Sequence, residues 1–140
     1  MKTYNSCVYL LDTSVYSQPL RPRPLAAVER RWCAIPESDL AISVICELEL
    51  LQGLHHKNSK RLWHAYNTLL KGRLRQIDIT SNVVSIYAEQ AARLRKQGKP
   101  RPQFDLLIAA SALSHDLVLA TCNPKDFQYI EGLKMEDWSI

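Results

Sequence analysis

Short apolar runs alternate with segments of helical spacing along the whole chain, and this alternation constrains the fold more than any other feature. Residues 8–11 and 117–120 are unbroken apolar runs, which are typical of strands buried on both faces. Residues 40–43 are predicted to form a third short strand. Because helical segments separate the strands, we expect parallel pairing with crossover helices. The sequence therefore predicts an α/β fold with a mostly parallel sheet and helices on both faces.

Prolines, glycines and capping side chains mark the ends of the predicted helices. The helices cover residues 25–35, 44–53, 58–72, 81–98 and 104–114, and Ser81 is the predicted cap of the fourth. Residues 74–79 alternate apolar and polar side chains, as a half-buried strand does. Residues 133–135 are predicted to form an edge strand near the end of the chain.

The composition is that of one folded domain. The chain has 140 residues, of which 46% are hydrophobic and 23% are charged, and this length is enough to bury a core. We expect a single domain over residues 1–140, without a signal peptide or a membrane-spanning segment. The four cysteines form no CxxC pair, so no zinc knuckle or thioredoxin motif is indicated. Three of them stand in apolar surroundings and are expected to be reduced core residues, which fits a reducing compartment. A cytoplasmic location is therefore predicted.

Four acids are candidate functional residues because of their places in the predicted elements. They are Asp12, Glu49, Asp105 and Asp126. Each of them alone is also explained as a helix cap, a first-turn acid, a turn residue or a solvated side chain. Parallel strands, however, end at the same edge of the sheet, so that the first and last acids would face one crevice. Clustered carboxylates have raised pKa values unless a divalent cation neutralises them, and oxygen ligands suit Mg²⁺ or Mn²⁺.

The chemistry of such a centre is that of metal-dependent nucleases. A bound cation lowers the pKa of water and stabilises charge on a phosphodiester. Glu47 and Glu49 compete for one place, because two residues correspond to about 200° around a helix and both cannot point into one pocket. The spacing of their neighbours does not decide between them.

Four stretches appear in the order found in a known family: YLLDTS at 9–14, ISVICELELLQG at 42–53, GKPRPQFDLLIAASAL at 98–113 and LVLATCNPKDF at 117–127. In these stretches the chain resembles the PIN-domain ribonucleases, specifically the VapC-type toxins of type II toxin–antitoxin pairs. The resemblance covers almost the whole chain. It implies a PIN-like three-layer sandwich with a central sheet of four to five strands.

The resemblance also implies roles for particular residues. The catalytic and metal-binding positions correspond to Asp12, Glu49, Asp105 and Asp126, so Glu49 is chosen over Glu47. Hydroxyl and amide side chains would support them at Thr13, Ser14, Thr121 and Asn123. Ser14 stands where the usual DTN motif has Asn, and a hydroxyl has a shorter reach than an amide.

By this resemblance the protein is a Mg²⁺- or Mn²⁺-dependent endoribonuclease toxin that cuts RNA with metal-activated water. The ending EGLKMEDWS is similar to that of plasmid-type members, whose substrates include transfer RNA anticodon loops. A cognate VapB-type antitoxin would hold the toxin inactive, with Trp32 and the first helices as the candidate partner surface. A homodimer is expected on the same ground.

Basic residues lead into Asp105 along the chain, and the net charge of +4 is a weak bias towards anionic partners. The predicted RNA-binding residues are Arg95, Lys96, Lys99 and Arg101. The alternative is that the basic residues up to Lys96, with Arg93, form a solvated helix end, where the helix dipole favours cations.

Two other functions are considered. A haloacid-dehalogenase-like phosphatase also begins with a strand and an Asp, but it needs a second acid where this chain has Ser14. A catalytically inactive PIN-like module would bind RNA or protein without cutting. The intact set of four acids argues against that alternative.

Overall fold

The central sheet consists of short parallel strands. The structure is a computed structural model that describes residues 7–140, and within this range it has five strands in the order β3-β2-β1-β4-β5. The strands are β1 (Tyr9–Leu11), β2 (Leu40–Ser43), β3 (Arg75–Ile77), β4 (Val118–Thr121) and β5 (Met135–Asp137). Every neighbouring pair is parallel. The predicted α/β class with a parallel sheet is therefore confirmed.

Six α-helices connect the strands in the described part of the chain. They are α1 (Thr13–Tyr16), α2 (Ala26–Ala34), α3 (Val44–Lys57), α4 (Lys60–Leu69), α5 (Ser81–Lys96) and α6 (Gln103–Ser114). Since crossovers between parallel strands are right-handed as a rule, this strand order puts α1 to α4 on one face of the sheet, and α5 and α6 on the other. Over residues 7–140 none of these helices is long and apolar enough to cross a membrane.

The third helix is longer than predicted, because it continues through Gly53 to Lys57. A glycine inside a helix costs about 1 kcal/mol relative to Ala, but Leu50 and Leu54 on either side of it are buried. Burial of each leucine side chain contributes about 1.5–3 kcal/mol and outweighs that cost. The helix ends at Asn58, which adopts the left-handed conformation with φ of 49°.

Other predicted boundaries shift by one to three residues. The edge strand is Met135–Asp137 rather than residues 133–135, because Leu119 pairs with Met135 in the ladder to β4. Thr80, not Ser81, caps α5, since its hydroxyl accepts a hydrogen bond from the Val83 N–H at 3.3 Å. The third strand covers only Arg75–Ile77 of the predicted residues 74–79.

Small residues of α6 form part of the core, together with residues of the other helices and the strands. Ala109, Ala110 and Ala112 of α6 are fully buried, and their small side chains allow the helix to approach closely. The first strand lies in the middle of the sheet, between β2 and β4. The connection after β1 leads to β2, and the connection after β4 leads the opposite way to β5. A crevice therefore opens at the carboxyl ends of β1 and β4, the usual ligand position in such sheets.

Candidate active site

Asp12 lies at this crevice, directly after β1, and only 4% of its surface is exposed. It is the N-cap of α1, and its Oδ1 accepts the Val15 N–H at 3.1 Å. The Ser14 hydroxyl donates to Oδ1 at 2.6 Å, and the Thr121 hydroxyl donates to Oδ2 at 2.5 Å. Burial raises the pKa of Asp12, and these three donors oppose the rise. Both oxygens of the carboxylate are thus held in fixed positions.

The two hydroxyls that hold Asp12 are themselves oriented by the backbone after β4. The N–H of Cys122 donates to Ser14 Oγ at 2.9 Å, and the N–H of Asn123 donates to Thr121 Oγ1 at 2.9 Å. Because each hydroxyl accepts a bond from a backbone N–H, its single proton is left to point at Asp12. Ser14 therefore has a defined position although it replaces the usual Asn. The exposed Asn123 contributes its backbone N–H here.

The two competing glutamates of α3 point to different places. The Glu49 Oε1 accepts a hydrogen bond from the Thr13 hydroxyl at 2.6 Å. This carboxylate is therefore bound to the residue that directly follows Asp12. Glu47 instead accepts hydrogen bonds from the Tyr16 hydroxyl at 2.9 Å and from the Tyr66 hydroxyl. Glu49 borders the crevice, whereas Glu47 links α1, α3 and α4.

Asp105 shows that the acids influence one another. It lies in the first turn of α6, and burial raises its pKa to about 6. The negative charges of Asp126, Glu49 and Asp12 contribute in that order, and Arg101 opposes them. Asp126 is exposed in the 3-10 turn that follows β4. The other three predicted acids therefore lie close enough to Asp105 for their charges to affect its pKa.

The acids do not form a closed coordination shell. Among the described residues, no group of three or more Asp, Glu, His or Cys side chains is placed to hold a metal ion directly. Both oxygens of Asp12 and one oxygen of Glu49 accept hydrogen bonds from hydroxyl groups, which fix their orientation. The pocket therefore presents oriented oxygen atoms around a shared space.

The four predicted RNA-binding residues have different surroundings. Arg101 acts on the acids directly, since its charge lowers the pKa of Asp105. Its guanidinium also donates to the Lys125 carbonyl at 2.9 Å. Arg95 and Arg101 line a cavity of about 370 Å³. Lys99 lies over an aromatic ring on the same side, and Lys96 is exposed at the end of α5.

Arg93, near the end of α5, is held by hydrogen bonds within the protein. Its guanidinium donates to the Gln90 side chain at 2.5 Å and to the Tyr129 carbonyl at 2.8 Å. These bonds join the end of α5 to the segment before β5.

The structure also assembles residues that the sequence pattern did not indicate. A cavity of about 390 Å³ opens beside Thr13 and Glu49, and three cations line it: Arg21, Lys57 and Arg61. They come from the connector after α1, the end of α3 and the start of α4. No spacing rule connects positions this far apart, so only the packed helices reveal the group.

Glu47 is expected to stabilise the fold without serving the acidic crevice. Burial and the Glu47 charge raise the pKa of both Tyr16 and Tyr66, so both hydroxyls remain protonated donors at neutral pH. Glu47→Gln replaces two charge-assisted hydrogen bonds by weaker ones, which costs about 1–2 kcal/mol of the free energy of unfolding. Urea denaturation of the two proteins measures this difference. An unchanged denaturation midpoint would contradict the role given to Glu47.

Fold and site together define a class of protein: a parallel α/β domain in which several carboxylates meet at the point where the strand order reverses. The comparisons agree with this class. The PIN-domain family profile matches residues 9–133. Ribonuclease VapC1 of Haemophilus influenzae strain R2866 is 33% identical over 94% of this chain and 98% of its own length. The tRNA(fMet)-specific endonuclease VapC of Shigella flexneri is 28% identical over the same shares of the two chains.

A solved structure shows the same architecture. The DNA-bound VapBC complex of Salmonella typhimurium contains a chain that matches with a TM-score of 0.81 and 26% identity, over 94% of this chain and 98% of that one. The chain therefore belongs to the PIN-domain family and, within it, to the VapC-type ribonuclease toxins. The resemblance seen in the four sequence stretches is confirmed, and the phosphatase hypothesis loses its support.

Proposed function

We propose that this chain is a Mg²⁺- or Mn²⁺-dependent endoribonuclease that cuts a structured RNA such as transfer RNA. The observation that carries the proposal is the grouping of Asp12, Glu49, Asp105 and Asp126 at one crevice, where burial raises the pKa of Asp105 and the charges of the other three acids raise it further. A buried carboxylate beside other negative charges is disfavoured in its ionised form, so Asp105 is costly to the folded protein at neutral pH. A divalent cation would neutralise the negative charge of these acids, so cation binding would explain why they are grouped.

The residues fit a small hard cation. All of the candidate donors are oxygen atoms, and Mg²⁺ is usually held by one or two carboxylates while it keeps several waters. Such a site does not need three carboxylates in direct contact, so it is compatible with the observed arrangement. Asp12, Glu49, Asp105 and Asp126 would hold the ion directly or through water. When bound, the ion would activate water and stabilise charge on the phosphodiester.

The hydroxyl residues keep the carboxylates in place for this task. Ser14 and Thr121 hold the two oxygens of Asp12, and Thr13 holds Glu49. Side chains fixed in this way lose little entropy when a cation and a phosphate arrive. Asn123 lies exposed beside them, where its amide would contact the phosphate.

An RNA phosphate must approach a pocket of negative charge, so positive side chains are needed around it. The cations on the two sides of the acids would provide them. On one side they are Arg95, Lys96, Lys99 and Arg101, and beside Glu49 they are Arg21, Lys57 and Arg61. The Shigella flexneri relative is named as a tRNA(fMet)-specific endonuclease, which supports a transfer RNA as the substrate.

A cognate VapB-type antitoxin is the proposed partner, since the Salmonella typhimurium neighbour was solved as a VapBC complex. A cavity of about 500 Å³ lies between α2 and α4, with Val28, Trp32 and Leu69 among its apolar lining. This surface includes the residue that the sequence indicated as a partner contact. A homodimer is proposed from the family alone.

The direct test is an assay of the purified protein on a transfer RNA mixture, with Mg²⁺, with Mn²⁺ and with EDTA. Cleavage that needs the cation and stops in EDTA is the expected result. Cleavage that is unchanged in EDTA would contradict the metal mechanism. A protein that binds RNA and never cuts it would support the inactive-module alternative.

Arg101 is expected to contribute to RNA binding through its charge. Arg101→Gln removes one cation near the phosphates, so binding weakens and the slope of log K against log salt falls by about 0.7 in magnitude for a single strand. The measurement is a salt titration of RNA binding by fluorescence anisotropy. An identical slope in both proteins would show that no phosphate lies near Arg101.

A further inference from the structure

Tyr129 is an aromatic side chain displayed to solvent next to the acidic crevice. About half of its surface is exposed, at 51%. Its backbone has a φ of 71°, a left-handed conformation that a bulky residue rarely adopts. Such strain persists only where the surrounding structure imposes it, and it is concentrated at binding and catalytic sites.

The contacts on either side show what imposes the conformation. Phe127 and Ile130 are buried, so the chain is anchored in the core before and after the exposed ring. Arg93 donates to the Tyr129 carbonyl at 2.8 Å, which fixes the peptide itself. The ring is therefore presented outwards by a rigid segment.

Two cations accompany this ring. The Lys99 Nζ lies over one face of the ring, 4.0 Å from its centroid, and the Arg101 guanidinium carbon lies 5.8 Å from the centroid, so a base would stack on the other face. Arg101 also donates to the carbonyl of Lys125, the residue before Asp126, and it lowers the pKa of Asp105. The aromatic ring, the two cations and the two acids are thus neighbours on one surface.

An aromatic face with adjacent positive charges is the pattern by which proteins hold unpaired nucleotides. The base stacks on the ring and the phosphates interact with the cations, whereas paired bases are not available for stacking. We propose that Tyr129, Lys99 and Arg101 form a subsite for one unpaired RNA nucleotide beside the phosphate that is cut. This inference rests on the proposed ribonuclease function, and it adds the residues that would hold an unpaired nucleotide of the substrate.

The test compares three variants of Tyr129 in an Asp105→Asn background, which prevents cleavage during the measurement. Tyr129→Phe keeps the ring, and Tyr129→Ala removes it. Tyr129→Gly also removes the ring but suits the left-handed backbone, so the protein stays folded. Binding is measured by anisotropy with a fluorescein-labelled single-stranded RNA of about 12 nucleotides and mixed sequence. Thermal midpoints of all four proteins are measured in parallel.

The Ala and Gly variants are expected to bind the RNA about 5- to 100-fold more weakly, and the Phe variant to bind within about twofold of the parent. Equal affinity in all four proteins would overturn the subsite. Weaker binding by the Ala variant alone, with a lowered thermal midpoint, would also overturn it, because the ring would then act only on the fold.

The subsite and the ribonuclease function fail in different ways. If the protein with Tyr129 intact cuts transfer RNA in Mg²⁺ but the ring makes no difference to binding, the subsite is wrong and the function stands. If the Asp105→Asn parent binds neither the labelled RNA nor a transfer RNA mixture, and the unmodified chain cuts neither, both are wrong.

Discussion

Replacement of Asp105 by Asn is expected to abolish RNA cleavage while making the metal-free protein more stable to heat. The loss of activity is expected because the amide cannot share the charge of a divalent cation. Such a cation supplies several kcal/mol of stabilisation to the transition state, which corresponds to a loss of at least about a hundredfold. The assay is cleavage of a transfer RNA mixture in the presence of Mg²⁺.

The gain in stability follows from the same carboxylate. Its pKa is about 6 in the folded protein against 3.8 for an ordinary Asp, so folding favours the protonated form. Below about pH 4 the group is protonated in both states, and the folded protein carries no penalty. As the pH rises from about 4 to about 6, the unfolded state releases this proton before the folded state does, so the free energy of unfolding falls. Above about pH 6 the group is ionised in both states, and the loss of stability is constant.

Asp105→Asn removes this penalty. In EDTA at about pH 7.5 the variant is therefore expected to be more stable by about 1 kcal/mol, after allowance for solvent screening of a half-exposed group. This corresponds to a thermal midpoint about 3 °C higher, and the difference should disappear below about pH 4. A variant that is less stable than the parent at neutral pH would show that the Asp105 carboxylate carries no such penalty in the folded protein.

Glu49→Gln is expected to release bacteria from growth arrest caused by expression of this chain without a partner. The substitution keeps the size of the side chain, and the amide oxygen can still accept the Thr13 hydroxyl that holds Glu49 now. It removes only the negative charge that a cation would use. Cleavage is again expected to fall at least about a hundredfold, and growth curves after induction report the result.

Glu47→Gln is the matched control for this experiment, because the same change is made two residues away on the same helix. Glu47 is held by Tyr16 and Tyr66 away from the crevice, so its variant should still arrest growth. The cellular level of each protein is measured by immunoblot, since the control variant is the less stable of the two. If Glu49→Gln remains toxic at a normal level while Glu47→Gln does not, the two glutamates have been given the wrong roles.

The sequence by itself determined the fold class and the location of the candidate acids along the elements. Unbroken apolar runs indicated buried parallel strands, and Asp12 could be placed at the end of β1 because the run stops there. These features depend on short-range rules of side-chain periodicity, capping and strand order. Short-range rules do not include tertiary contacts, so the predicted ends of α3 and β5 differ from the observed ones. Burial of Leu54 carried α3 past Gly53, and the ladder with β4 shifted β5.

Only the tertiary structure decided how the side chains are arranged at the crevice. It directed Glu49 to Thr13 and Glu47 to two tyrosines, and it brought Tyr129 beside Lys99 and Arg101. The spacing within α3 excluded a shared direction for the two glutamates but did not state which one faces the acids. Side-chain direction depends on which helix packs against which, and hydrogen bonds between residues far apart in the chain exist only after that packing has formed.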